Sequence, residues 1–350
     1  ALERRVRERL ETATSPQKPT SVEMVRVERE LTAPMIPWSL SSGRRSAALL
    51  LVRRAARVDE SVFLNDERII GSLSALTADG WLLAPAHLFD GLHLAETGVV
   101  WEGRIYPVIK AVRDTSSDLA YVKVALQNLP VVELTRAEDV VSGLPIWIET
   151  APGRILPAVI VDTRERLFHG LVSSEHLTRR YALNVVRAAV KQGGVVWNAN
   201  GALVGVLEVG GSSSDLASII PITSVASTLT SLLATQAIRR PSLGVNGMSA
   251  AFLLTETADA KHQTSGFLLR GDRSRGLMAV DPKGSAVKLL KEDDVIQQID
   301  NDVIQDAVDM AERVAQYRPG VVLPLHGRRA GLPLDINVTL GEVVTSEALK

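Results

Sequence analysis

A chain of 350 residues with a hydrophobic fraction of 46% holds enough apolar mass for two or three packed domains and does not read as disordered. A formal net charge of −1 gives no overall pull toward nucleic acid, and the absence of cysteine excludes disulfides and thiolate metal sites. No apolar run approaches the roughly 18 residues a membrane-spanning helix requires.

Residues 1–45 read as an N-terminal extension. Ala1 to Thr12 is an Arg/Glu-rich helix candidate; Pro16, Pro19, Pro34 and Pro37 follow, then Ser39-Leu40-Ser41-Ser42-Gly43, the composition of a linker arm. Because the sequence begins at Ala1 rather than Met, whether a leader or membrane anchor precedes it stays open.

Residues 46–238 read as all-β. Short Val/Ile/Leu-rich runs predict strands at Ala47 to Val52, Ile70 to Thr77, Trp81 to Ala84, Ile105 to Val112 and Leu119 to Val124. Further runs predict strands at Ile146 to Glu149, Pro157 to Val161, Val195 to Trp197 and Leu203 to Val209. Thr77-Ala78-Asp79-Gly80 has the composition of a hairpin turn. Many short strands without long intervening helices predict a sandwich or a pair of barrels. One helix is expected over Ile222 to Ala237, with Val225, Leu229, Leu232 and Leu233 at helical spacing.

Residues 239–350 mix both element types. Strands are predicted at Phe267 to Leu269, Gly276 to Val280, Val295 to Ile299, Val321 to Leu325 and Leu334 to Leu340. A helix is predicted over Gln305 to Tyr317, with Met310, Val314 and Tyr317 on its apolar face.

Three motifs bear on chemistry. Gly71-Ser72-Leu73-Ser74-Ala75-Leu76-Thr77-Ala78-Asp79-Gly80-Trp81-Leu82-Leu83-Ala84-Pro85-Ala86-His87-Leu88 resembles the segment of HtrA-type proteases that ends in the catalytic histidine. Ser117-Asp118-Leu119-Ala120-Tyr121-Val122-Lys123-Val124 resembles the strand that carries their aspartate, at the family's usual separation. The third motif departs. Where the family has Gly-Asn-Ser-Gly-Gly, this sequence reads Val190-Lys191-Gln192-Gly193-Gly194, and Gly201-Ala202-Leu203-Val204-Gly205-Val206 follows where the next family strand belongs.

By this resemblance His87 and Asp118 match two members of a Ser-His-Asp triad, and Gln192 stands at the position of the serine. An amide is not an activatable nucleophile. Val190 replaces a glycine whose N–H helps form the oxyanion hole, so the region of Val190 and Gly193 is altered as well. Ser173 and Ser174 fall where the family has a barrel strand, and Ser212 to Ser214 in a loop; neither group lies on the turn before the glycine pair. His87 and Asp118 are expected to persist as a buried hydrogen bond that keeps two barrels in register. His87 and His93 without clustered carboxylates make a weak case for a metal, and neither a metal nor a cofactor is expected.

Ser242-Leu243-Gly244-Val245 resembles the carboxylate-binding loop of HtrA-type PDZ domains, with Val245 to Met248 as the strand that would pair with a peptide. Asp281-Pro282-Lys283-Gly284-Ser285-Ala286 and Glu292-Asp293-Asp294-Val295-Ile296-Gln297-Gln298-Ile299-Asp300-Asn301 resemble further parts of that domain.

The resemblance implies a mainly β chain: a chymotrypsin/trypsin-like double β-barrel at 46–238, then an α+β PDZ domain at 239–350. It implies a pseudoprotease that binds proteins or peptide C-termini as scaffold, adaptor or chaperone. A homotrimer or a mixed assembly with an active relative is implied, in a periplasmic or other extracytoplasmic setting. Two alternatives stand beside it. One is an active serine endopeptidase with a non-standard nucleophile. The other is a structural subunit of a larger complex, which predicts a blocked or unoccupied PDZ groove.

Overall fold

The computed structural model describes residues 48–54, 64–65, 67–131, 133–151, 154–166, 170–190, 193–208, 215–252 and 265–349. The extension at 1–45, Gln192 and Ser212 to Ser214 lie outside these residues. The described residues belong to one compact unit.

The first six strands are β1 (Ala48–Arg53), β2 (Ile69–Ala75), β3 (Trp81–Pro85), β4 (Thr97–Trp101), β5 (Arg104–Asp114) and β6 (Leu119–Val124). They pair in the order β5-β4-β1-β2-β3-β6, and β5 also pairs with β6, which closes a barrel. The turn between β2 and β3 is chemically specified. Thr77 donates from Oγ1 to Asp79 Oδ1 at 2.5 Å and accepts the Trp81 N–H at 3.0 Å. Gly80 has φ +100°, and a Cβ there would lie 2.3 Å from the Val124 carbonyl, so no other residue fits.

A second closed barrel comprises β7 (Pro145–Ala151), β8 (Arg154–Arg166), β10 (Arg179–Val186), β11 (Val195–Trp197), β12 (Leu203–Glu208) and β13 (Leu216–Pro221). The strand between β8 and β10, β9 (Val172–Ser173), leaves this barrel altogether. Helix α1 (Val225–Thr235) follows, and its Val225 and Leu232 join the core of the first barrel. That core also takes in Val195, Trp197, Val206 and Ile220 from the second barrel, so the two barrels share an apolar interface. The chain therefore has the double-barrel, trypsin-like fold.

In the C-terminal part, β14 (Arg239–Ser242) pairs with β21 (Gly341–Val344). A sheet runs β20 (Leu332–Thr339), β19 (Val322–Arg329), β17 (Val295–Ile299), β16 (Phe267–Leu269), β15 (Asn246–Ser249) and then β9; β18 (Asp302–Val303) pairs off β17. Helix α2 (Ala307–Ala315) is capped by Asp306, whose Oδ1 accepts the N–H groups of Val308 and Asp309 at 2.8 and 3.1 Å. Met310 and Val314 are buried in the sheet's core, with Tyr317 packed at its margin. The last strand, β22 (Ser346–Ala348), returns to pair with β5 of the first barrel.

Two expectations need correction, and further strands appear that the sequence did not mark. Gly276 to Val280 is not a strand; a short 3-10 turn at Arg273–Arg275 ends on Gly276 at φ +69°, which diverts the chain. Ser173 is not on a barrel strand, because β9 pairs with β15 instead. The polar-fronted Arg179–Val186 and the short Thr97–Trp101 and Leu216–Pro221 are strands that periodicity did not single out. Among the described residues no helix is long and apolar enough to cross a membrane.

Candidate functional site

The pairing of β3 with β6 aligns Pro85 with Leu119, and the Ala86 N–H donates to the Asp118 carbonyl at 2.7 Å. His87 and Asp118 are thus brought beside each other by the ends of two neighbouring strands. His87 lies on a short 3-10 turn, Ala86–Phe89, and Asp118 has φ +60°, a conformation aspartate tolerates better than most residues. From the other barrel, Gly193 comes to the same place. At φ +77°, a Cβ on Gly193 would lie 2.5 Å from the Ser72 carbonyl and 2.9 Å from Leu88 Cδ1. The three motif segments therefore converge at the junction of the barrels, where Ser72 Oγ also donates to the Thr150 carbonyl at 2.8 Å.

The expected hydrogen bond between His87 and Asp118 is not formed. The Asp118 carboxylate accepts instead from Arg180 Nη2 at 2.9 Å, and its side chain is 41% exposed rather than buried. Arg180 is fully buried; its Nε donates to Glu208 Oε2 at 2.5 Å and its Nη1 to the Arg179 carbonyl at 3.0 Å. A buried guanidinium strung between two carboxylates holds Asp118 in place of His87, because bonds between charged partners are the stronger kind. Among the described residues, Nε2 of His87 is buried with no hydrogen-bond partner. Periodicity missed Arg180, although two adjacent arginines opening a strand are an anomaly that marks it in retrospect.

Val190 is extended at φ −130°, its side chain is in the core of the second barrel, and its N–H donates to the Arg187 carbonyl at 3.2 Å. The Gly193 N–H donates to the Leu207 carbonyl at 3.0 Å. Both N–H groups are thus occupied within the chain. Ser173 and Ser174 both donate to the carboxylate of Glu175. Among the described residues no cluster of three or more His, Asp or Glu side chains is placed to hold a metal ion.

In the C-terminal part, Ser242 ends β14, and Leu243, Gly244 and Val245 lie between β14 and β15. Gly244 is at φ +73°, and a Cβ there would lie 2.8 Å from the Gly284 Cα. Ser285 Oγ donates to the carbonyls of Ser242 and Leu243 at 3.1 and 3.3 Å, which fixes the loop from behind.

Comparison with known proteins bears on this arrangement. No family model matches the sequence. The serine protease named HhoB from Synechocystis sp. is 25% identical over 287 residues, covering 79% of this chain and 67% of that protein. A periplasmic DegP-like serine endoprotease of Halomonas elongata is 23% identical over 287 residues, and the match spans just 57% of its length. Among solved structures, an HtrA-type protease, AlgW, with a decapeptide superimposes with a TM-score of 0.62 at 22% identity, covering 87% of this chain and 98% of that one. In sequence and in fold the chain is similar to trypsin-like proteases of the HtrA/Deg type. Within an HtrA-type framework, His87, Asp118 and the Gly193-Gly194 turn occupy one junction between barrels, while Asp118 is committed to Arg180.

Proposed function

We propose that the chain is an HtrA-like pseudoprotease: a double barrel that does not cleave, joined to a PDZ-like domain that binds proteins or peptide C-termini as a scaffold or adaptor. The observation that carries this reading is the contact of the Gly193 turn with Leu88, beside His87. The residue that immediately precedes this glycine pair in sequence is Gln192, which offers no nucleophile. The pairing of Asp118 with Arg180, and the donation of the Val190 N–H to the Arg187 carbonyl, agree with it: a histidine without its orienting carboxylate and an altered oxyanion region are both expected to depress acyl transfer.

Domains at 46–238 and 239–350, with 1–45 as an arm, belong to the same proposal. The peptide-binding role rests on the Ser242–Val245 loop and on the AlgW structures, which hold a decapeptide or a tripeptide. An extracytoplasmic setting follows the periplasmic DegP-like and DegQ relatives. A homotrimer or a mixed assembly with an active relative remains part of the reading. One observation favours a second reading, a structural subunit with a closed groove: the Ser242–Val245 loop is already filled by the chain itself.

The test is labelling with a fluorophosphonate serine-hydrolase probe alongside casein cleavage. The natural chain is expected neither to label nor to cleave. Labelling of the natural chain would overturn the reading and identify another nucleophile. Gain of labelling in Gln192→Ser would show a cleft that lacks only its serine; silence there, with labelling restored by adding Val190→Gly, would assign the defect to the oxyanion region.

A further inference from the structure

We propose that the loop at 172–175 is an internal ligand that occupies the peptide groove of the C-terminal domain, with the Glu175 side chain standing in for a peptide's terminal carboxylate. The inference deepens the peptide-binding reading above and rests on it for the identity of the groove.

The backbone supplies the first argument. Strand β9 runs antiparallel to β15, with Ser173 opposite Asn246 and Val172 opposite Gly247. The Ser174 N–H then donates to the Val245 carbonyl at 2.9 Å. An extended segment added to the edge of a sheet in this way makes the main-chain contacts that β-strand addition uses to capture peptides. Its direction carries it from β15 back toward the Ser242–Val245 loop, which is the direction a peptide C-terminus would take.

The carboxylate supplies the second. Glu175 Oε1 accepts the Leu243 and Gly244 N–H groups, each at 2.9 Å, and the Ser242 hydroxyl at 3.3 Å. Ser174 Oγ donates to the same oxygen at 2.7 Å, and Ser173 Oγ donates to Oε2. Successive backbone N–H groups converging on one oxygen form an anion-binding nest, and the loop that the sequence singled out for a peptide carboxylate holds this one. The apolar part of the groove is filled as well: Val172 is buried in the same cluster as Leu243, Val245 and Phe267. Strand register, carboxylate and side chain thus all follow the pattern of a bound peptide, contributed by the chain in cis.

The segment also faces the first barrel. Ser116 Oγ donates to the Glu175 carbonyl, and the Leu177 N–H donates to the Ser116 carbonyl at 2.7 Å. Ser116 lies two residues before Asp118. A peptide that displaced Glu175 from the groove would therefore release a segment bonded to the loop that carries Asp118.

The test needs a readout of occupancy and one of binding. Amide hydrogen exchange at Leu243 and Gly244 is expected to be slow in the natural chain and about tenfold faster or more in Glu175→Ala, with Glu175→Gln between them. A fluorescein-labelled decapeptide copying residues 165–174 with a free carboxylate is expected to bind Glu175→Ala about tenfold more tightly than the natural chain, because a competitor lowers the binding-competent fraction. Its C-terminal amide is expected to bind neither. Unchanged exchange in a folded Glu175→Ala overturns the proposal outright. Equal peptide affinity for both proteins overturns the role of the loop as a competitor while leaving the groove a peptide site. Accelerated exchange with no peptide binding to either protein keeps Glu175 as the internal ligand and overturns the peptide-binding reading instead.

Discussion

Arg180 decides the character of the junction between the barrels. It is a fully buried cation with a carboxylate on each side, and its two partners differ in their own burial. Glu208 is nearly enclosed, with a side chain 9% exposed, whereas Asp118 is 41% exposed. Removing the arginine leaves Glu208 charged and unpaired away from water, while Asp118 regains solvent. Arg180→Met is therefore expected to cost about 3–5 kcal/mol, most of it through Glu208. Asp118→Asn, which keeps a residue able to hold φ +60° and breaks only the more solvated arm, is expected to cost about 1 kcal/mol. Urea unfolding of the two variants checks the order; equal losses would mean that the solvent-facing arm is the important one.

At the scale of elements, the segment linking β9 to β10 gathers more polar contacts than its sequence suggests. His176 lies within it, with its Nε2 buried and unpartnered among the described residues. Burial lowers its pKa from the ordinary imidazole value, outweighing the opposing pull of Asp118 and Asp114; Arg180 also lowers it. Glu175 is its neighbour on the same loop. The imidazole is thus neutral in the fold over a range where the unfolded chain takes up a proton. Stability from this group is full above the unfolded value of about 6.5 and is lost as pH falls from there through the lower folded value. Comparing unfolding free energies between about pH 7.5 and 5.5, His176→Gln should flatten the decline seen in the natural chain. Equal slopes in both proteins would show that other groups carry the acid sensitivity.

The same segment shows where the sequence stopped being informative. Strands such as Trp81–Pro85 and Leu119–Val124 were legible because strands enclosed on both sides read as short apolar runs bounded by turn residues. Gly80 and Gly193 were legible as a turn and a register mark, and the structure gives each a steric reason. Val172–Ser173 was not legible as an added strand: two residues carry no period, and only the edge of β15 makes them one. Glu175 was equally hidden, since nothing local distinguishes a glutamate that reaches a distant loop from a solvated one. Arg179–Val186 hid its strand behind two arginines whose partners, Glu312 and Asp309 for one and Glu208 and Asp118 for the other, come from remote segments.

Across the whole molecule, Arg240 of β14 and Thr345, just after β21, converge on one buried carboxylate at the end of β5. Asp114 is fully buried; its Oδ1 accepts from Thr345 Oγ1 at 2.8 Å and from the Ser116 N–H at 3.1 Å, and its Oδ2 accepts from Ser117 Oγ at 2.6 Å and from Arg240. Thr345 also receives the Thr115 N–H at 2.9 Å through its carbonyl and donates its own N–H to the Ile238 carbonyl at 3.0 Å. The loop bearing Asp118 begins here, because the Asp118 N–H donates to the Asp114 carbonyl at 3.2 Å. Ending the chain after Val344 removes Thr345, β22 and the Leu349 contact to Ala111 together. Several buried groups on the first barrel then lose partners at about 1–3 kcal/mol each. The truncated chain is expected to unfold at least about 5 °C lower, and Thr345→Val, which removes only the side-chain bond to Asp114, by a smaller step. Hydrogen exchange should localise the effect of the truncation to residues 111–118 rather than to the sheet around α2. Unchanged thermal unfolding after truncation would mean that β22 only rests on the barrel, and that Arg240 alone neutralises Asp114.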